Sequence, residues 1–322
     1  MQQEILKLNQ IKQAAKRINP YINRTPVLTC TSINNILGAK IFFKCENFQK
    51  VGAFKFRGAC NAVFSLSDAK ARFGVATHSS GNHAAALSLA ASIRSMPAYI
   101  VMPRTAPAVK KAAVAGYNGN ITFCEPTLDA REKTLEDVVK KTGAKFIHPY
   151  NDYDVIAGQG TAALELIQEI TDLDIIMAPV GGGGLLSGTA VTVSQMSPRT
   201  QIIAGEPAGA DDACRSLQAG KILPCINPNT IADGLRTSLG DKTFPIIKKY
   251  VHRIVTVSDE FIIEAMRLVW ERMKIIIEPS AAVPLGVLLQ KKLDVTGKRV
   301  GIILSGGNVD LDNLPWLNRH SP

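Results

Sequence analysis

Residues 174–188 read DIIMAPVGGGGLLSG: an apolar run, four consecutive glycines, then the start of a segment with helical spacing. A short apolar run bounded by Gly fits a strand buried on both faces. A strand passing through a tight Gly turn into a helix is the building unit of α/β folds. Similar runs recur along the chain: KIFFKCE (40–46), GVATHS (74–79), PAYIVMP (97–103), NITFCEP (120–126), KFIHPY (145–150), QIIAGEP (201–207), RIVTVSD (253–259) and RVGIILS (299–305). Between most of them lie stretches of helical period, such as NHAAALSLAASIRS and SDEFIIEAMRLVWERM. The alternation predicts parallel sheets covered by helices on both faces, with ligands bound where strand ends pass into helix N-termini.

The 322 residues are about twice a typical domain, enough for one large α/β unit or two smaller ones. With 46% hydrophobic and 20% charged residues, 25 Gly and 17 Pro, the composition is that of a globular protein with tight turns. The net charge of +10 comes from scattered basic residues that are not interleaved with aromatics, so no nucleic-acid partner is expected. An anionic small ligand or a basic surface accounts for it equally well. The six cysteines contain no C-x-x-C pair, which argues against a zinc site or a disulfide framework and for reduced thiols in a cytoplasmic protein. At the N-terminus Ile5, Leu8, Ile11 and Ala15 share one helical side without the apolar core of a signal peptide. No apolar run reaches the ~18 residues of a membrane span.

Three strand-to-helix loops carry chemistry. Gly181, Gly182, Gly183 and Gly184 offer bare backbone N–H groups at a positive helix end, a cradle for phosphate. No Gly-Lys-Ser/Thr follows and G-x-G-x-x-G is not completed, so P-loop NTPases and NAD enzymes lose ground; a flexible turn is the alternative, although four glycines are conformationally expensive. Ser79, Ser80, Gly81 and Asn82 precede a helix, where they form either a carboxylate cradle or a plain helix cap. No G-x-S-x-G elbow or H-E-x-x-H motif is present. The third loop, LSGGN at 304–308, holds Ser305, which can make a single neutral hydrogen bond. In VGAFKFRGACNAV (51–63), Lys55 stands between two phenylalanines. It is either a surface lysine with a buried stem or an amine whose pKa falls in a partly apolar pocket, ready to form a Schiff base with an aldehyde. Phosphate cradle, carboxylate cradle and amine together point to pyridoxal phosphate.

AFKFRGA, THSSGNH, IAGQGT, PVGGGGLLSG, IADGLRTSLG, IEPSAA and LSGGNVD, in this order, resemble the fold-type II (tryptophan synthase β-like) pyridoxal-phosphate enzymes over residues 15–311. Within them the chain is most similar to the eukaryotic-type serine racemases, followed by the serine/threonine dehydratases and the threo-3-hydroxyaspartate ammonia-lyases. The resemblance implies two parallel-sheet α/β domains, a large cofactor-binding one (1–64 and 148–322) and a small one (65–147) inserted in it, and a homodimer.

By that resemblance Lys55 is the Schiff-base lysine, Phe54 packs beside the ring, Asn82 bonds the ring hydroxyl, Gly181 to Gly184 with Leu185 hold the phosphate, and Ser305 meets the pyridine nitrogen. A serine there does not keep that nitrogen protonated, which makes loss of a β-hydroxyl the easier outcome. Ser79, Ser80, Gly81, Asn82 and His83 hold the substrate carboxylate, with Arg131 and Tyr150 as outer contacts. Lys55 and Ser80 act as acid/bases on opposite faces of Cα, so one site permits racemisation and elimination.

GEPAGADD (205–212) matches the family's divalent-metal loop, in which Glu206, the Ala210 carbonyl and Asp212 hold Mg²⁺ or Ca²⁺, or else Mn²⁺. Of the ATP site found in mammalian members, Asn308, Lys274 and Tyr117 are kept while Cys30, Val51 and Ala85 depart, which argues against nucleotide activation. Only eleven residues follow LSGGNVDL, which speaks against the regulatory domain of biosynthetic threonine deaminase. The function implied is serine racemase with L-serine/L-threonine ammonia-lyase activity. The alternatives are a dedicated threo-3-hydroxyaspartate or threonine ammonia-lyase, with Arg236 or Arg131 holding a further carboxylate, and a catalytically silent cofactor-binding protein.

Overall fold

The computed structural model describes residues 6–79 and 81–317. Ten strands form two sheets: β1 (Val27–Leu28), β2 (Lys40–Cys45), β3 (Val75–His78), β4 (Ala98–Pro103), β5 (Gly119–Cys124), β6 (Lys145–Phe146), β7 (Ile175–Pro179), β8 (Gln201–Pro207), β9 (Arg253–Val257) and β10 (Arg299–Leu304). The larger sheet has the order β1-β2-β10-β7-β8-β9, the smaller β5-β4-β3-β6. All pairings are parallel except that of the edge strand β1 with β2. β1, in TPVLTC, is two residues long, too short to carry an alternation. The run KFIHPY yields only Lys145–Phe146 as strand, after which Pro149 and its neighbours turn away.

Successive residues of a strand face opposite sides. In β7, Ile176 and Ala178 enter one apolar core while Ile175 and Met177 enter the other; in β8, Ile202 and Ala204 oppose Ile203. Both faces are buried, which is why these strands read as unbroken apolar runs. A third core lies on one face of the small sheet and includes Val75, Leu87, Ala98 and Ile100. The N-terminal helix Leu8–Ile18 buries Ile11, Ala14 and Ile18. The expected face of Leu8, Ile11 and Ala15 is thus rotated, since Leu8 and Ala15 are only half-buried; Ile5 lies outside the described residues.

The helix Lys55–Phe64 joins the two halves. Phe56, Ala59, Cys60, Ala62 and Val63 belong to the core of the small sheet. On its other side Arg57, fully buried, forms a closed charge cluster with elements of the large sheet. Its Nε and Nη2 donate to Glu46 at 2.7 and 2.9 Å, and Nη1 and Nη2 to Glu165 at 2.7 and 2.9 Å. Lys44 completes the cluster, donating to Glu165 and to the Thr25 carbonyl, each at 2.6 Å. Two cations face two carboxylates in fork geometry, the arrangement that compensates desolvation best. The helix start, with Lys55 as first residue, is thereby fixed at the C-terminal end of β2.

Candidate active site

β10 lies between β2 and β7, although it follows both in the chain, so the large sheet changes winding direction there. Three loops leave the carboxyl ends of these adjacent strands: the turn before Lys55, Ser305 with its glycines, and the Gly181 loop. Crevices at such switch points are where open α/β sheets bind ligands.

The segments around Lys55 and Ser305 pair directly. Phe54 N–H donates to the Ser305 carbonyl at 3.0 Å, and Gly307 N–H to the Gly52 carbonyl at 2.9 Å. Lys55 is half-buried; its Nζ donates to the Pro149 carbonyl at 2.9 Å and sits 5.1 Å from the centre of the Phe54 ring. A carbonyl and an aromatic face do not neutralise an ammonium. Burial lowers the Lys55 pKa to about 8, with the charge of Glu278 acting in the opposite direction.

Glu278, from IEPSAA, was given no role by the sequence reading. It is buried, its pKa pushed up to about 7 by desolvation against a hydrogen bond from Asn82. Asn82 Nδ2 lies 3.0 Å from Glu278 Oε2, while its Oδ1 accepts from Asn308 at 2.9 Å. Asn308, a position kept from the ATP site of mammalian relatives, has its amide engaged within the chain.

Gly181 to Gly184 and Leu185 are all buried, and the helix Gly184–Met196 starts here with no side-chain cap. Gly183 has φ +87°, and a Cβ there would come within 2.9 Å of Ile247 and Leu239; one on Gly182 would strike the Tyr150 ring at 2.4 Å. A buried helix start without a cap leaves first-turn N–H groups for an anionic ligand. Pro149, which receives Lys55, directly precedes Tyr150 and so connects amine and glycine loop. Burial raises the Tyr150 pKa, and Thr237 is its hydrogen-bonding neighbour.

The helix Asn82–Ile93 is likewise uncapped, with Gly81 before it and open space where a Gly81 Cβ would lie. Ser79 Oγ accepts from Gly81 N–H at 3.3 Å. Ser80 lies outside the described residues. His83 is buried, with Nε2 3.3 Å from the Ile147 carbonyl and Nδ1 without a partner among the described residues; burial, then the Lys55 charge, hold its pKa well below the ordinary value. His148 Nδ1 accepts from Tyr150 and Asn151 N–H, so it is unprotonated, and burial takes this pKa to about 4. Pro149, His148 and Glu278 carry no motif of their own; the segments HPY and IEPSAA show apolar and helix-start patterns but not which of their polar groups the fold turns toward the site.

The two arginines offered for a further carboxylate divide. Arg131, on the helix Leu128–Thr142, has a buried Nε without a partner among the described residues. Burial lowers the pKa of His78, next to Ser79, with Glu132 acting the other way and Arg131 adding a smaller push in the same direction. Arg236 is exposed and directs Nε and Nη2 to the Thr230 carbonyl, at 3.0 Å for Nε. In the GEPAGADD loop Glu206 and Asp212 are both 1% exposed. Glu206 accepts from Ala213 and Cys214 N–H at 2.7 and 2.8 Å, and burial pushes its pKa up to about 8. Burial also raises Asp212, against the Cys225 thiol and its own backbone N–H beside it; its two carboxylate oxygens accept no well-formed hydrogen bond among the described residues. Among the described residues no group of three His, Cys, Asp or Glu side chains gathers as a metal site; a site here rests on two acids and a carbonyl.

Residues 18–306 match the model of the family described as pyridoxal-phosphate dependent enzyme. The chain belongs to this family. A β-hydroxyaspartate dehydratase of Paracoccus denitrificans is 54% identical over 303 residues, covering 94% of this chain and 96% of that one. A serine racemase of Dictyostelium discoideum is 51% identical over 313 residues, covering 95% and 96%. The structure of maize serine racemase superposes with a TM-score of 0.94 at 46% identity, covering 96% of this chain and 95% of that one. The fold is that of the fold-type II pyridoxal-phosphate enzymes, as the sequence motifs implied. The uncapped glycine helix, the desolvated Lys55 and the Ser305 strand end fit the phosphate, aldehyde and ring of that cofactor. No described helix is long and apolar enough to cross a membrane, and the six cysteines are all free.

Proposed function

We propose that the protein is a pyridoxal-phosphate-dependent racemase and ammonia-lyase acting on serine and similar β-hydroxy amino acids. The observation that carries this reading is Lys55: a desolvated amine, set against a carbonyl and the Phe54 ring with no ion pair among the described residues, where the glycine loop, the Asn82 helix and Ser305 converge. When bound, the cofactor supplies the aldehyde and the electron sink that acidify Cα. Near neutral pH an amine with a pKa of about 8 is divided between its two forms, so Lys55 both takes and returns a proton at Nζ. The N-terminus of the Asn82–Ile93 helix orients the substrate carboxylate through its free N–H groups and the Ser79 hydroxyl. Ser80 is assigned the opposite face of Cα, which allows the proton to return with inverted configuration. Phe54 limits water beside Lys55, and Ser305 offers the ring nitrogen a neutral partner.

A second reading, a dedicated threo-3-hydroxyaspartate or threonine ammonia-lyase, draws support from the 54% identical dehydratase and from the unpartnered Arg131 Nε. Purified holoenzyme is incubated separately with L-serine, D-serine, L-threonine and L-threo-3-hydroxyaspartate, and keto acid and enantiomers are measured together. Keto acid from the last substrate alone, without racemisation, decides for the second reading. Ser80→Ala is expected to abolish racemisation and spare elimination from one enantiomer; equal loss from both overturns the two-base assignment.

We also infer a divalent cation at Glu206, the Ala210 carbonyl and Asp212, because two buried carboxylates that no cation pairs among the described residues are hard oxygen ligands suited to Mg²⁺, Ca²⁺ or Mn²⁺. Its role is structural. A cytoplasmic homodimer completes the proposal, with the oligomeric state read by light scattering.

A further inference from the structure

Asn308 lies just beyond Ser305 and is itself exposed, yet its amide nitrogen reaches two parts of the site. It donates to the Val51 carbonyl at 2.7 Å and to Asn82 Oδ1 at 2.9 Å. An amide nitrogen carries two hydrogens, so both are engaged. The Asn308 backbone N–H, like the Asn82 side chain, favours the charged form of Glu278. With Oδ1 tied to Asn308 and Nδ2 facing Glu278, the amide of Asn82 is left one orientation.

At the other end of this strap the backbone is strained. Val51 has φ +56°, a left-handed conformation that β-branched side chains resist and that persists only when its surroundings enforce it. Gly52 follows at φ +68°, and a Cβ there would lie 2.8 Å from Asn308 Oδ1, so the turn and the asparagine are in close contact. Ala53 and Phe54 join this turn to Lys55, the first residue of the helix.

We propose that Asn308 is a positioning residue: through Asn82 and the Val51 turn it holds the Asn82 amide and the Lys55 amine in register with Ser305, as an internal strap that requires no bound effector. The inference rests on the cofactor and reaction assigned above and deepens them. Asn308 touches no reacting atom; its effect is on the orientation of groups that do.

The test compares wild type, Asn308→Ala, Asn308→Asp, Val51→Gly and the double variant Asn308→Ala/Val51→Gly. Holoenzyme absorbance and fluorescence are recorded without amino acid, together with thermal midpoints, kcat and KM. Removing the amide is expected to shift the cofactor band and lower kcat about 10- to 100-fold with KM changed less than threefold. Val51→Gly relieves the turn and is expected to leave the spectrum as in wild type. Added to Asn308→Ala, it is expected to recover the thermal midpoint while spectrum and kcat stay altered. An unshifted spectrum in Asn308→Ala, or recovery of kcat together with the midpoint in the double variant, overturns the proposal. Should Asn308→Ala fail to fold, Asn308→Asp, of the same shape but without the donors, gives the same decision. Inactivity of wild type on all four substrates would overturn the assigned reaction instead, and the spectra would still decide the strap.

Discussion

Lys44 and Lys55 flank the end of the same strand and meet opposite fates. Lys44 is fully buried between a carboxylate and a carbonyl, both at 2.6 Å, and shares Glu165 with Arg57. Lys55, half-buried, has one carbonyl and no ion pair, and its pKa falls to about 8. The carboxylates repeat the contrast. Glu46 and Glu165 are closed off by Arg57 and Lys44, whereas Glu206 and Asp212 have no ion pair among the described residues. Buried charge neutralised inside the chain fixes the fold; buried charge left open marks where something else must bind.

The closed cluster is where that contrast is easiest to break. Arg57→Met leaves Glu165 to Lys44 and Glu46 to the Thr25 hydroxyl, with no cation on Glu46 among the described residues, and is expected to cost about 3–5 kcal/mol in denaturant unfolding. A loss under 1 kcal/mol would mean that the cluster is no structural clamp. Glu165 reports the same from the acid side. Desolvation raises its pKa, but the Arg57 and Lys44 contacts together outweigh that and bring it below the ordinary value. Its contribution is therefore present above that ordinary value and lost as the pH falls through the depressed one.

The open carboxylates give the next effect. Mg²⁺ or Ca²⁺ at a hundred times its dissociation constant is expected to stabilise the protein by about 2.7 kcal/mol, reversed by a chelator. In Asp212→Asn this gain disappears; a gain that survives the substitution places the cation elsewhere. A smaller effect is expected at Glu278, whose folded pKa of about 7 exceeds the ordinary 4.5. The folded state then holds this proton more tightly, so wild type loses stability relative to Glu278→Gln as pH rises from about 4.5 to about 7, by on the order of 2 kcal/mol. A flat difference across that window contradicts a buried carboxyl there.

Much of this was legible in the sequence because the signals are local. The buried strands announce themselves as apolar runs, since alternate residues such as Ile175 and Ile176 enter two different cores. The glycine loop and LSGGN are visible because tight turns need particular residues at particular places. Long-range pairing hides the rest. Arg57 and Glu165 are distant in sequence, and the link of Asn308 to Val51 joins opposite ends of the chain. A lone carboxylate such as Glu278 looks like any surface acid until the fold buries it. The antiparallel β1 is too short to show a period.

The contrast between the two lysines is tested most directly by reducing the holoprotein with borohydride and mapping the modified peptide by mass. The cofactor is expected on Lys55 and absent from Lys44. Attachment to another lysine, or a holoprotein with no reducible attachment, would contradict the account.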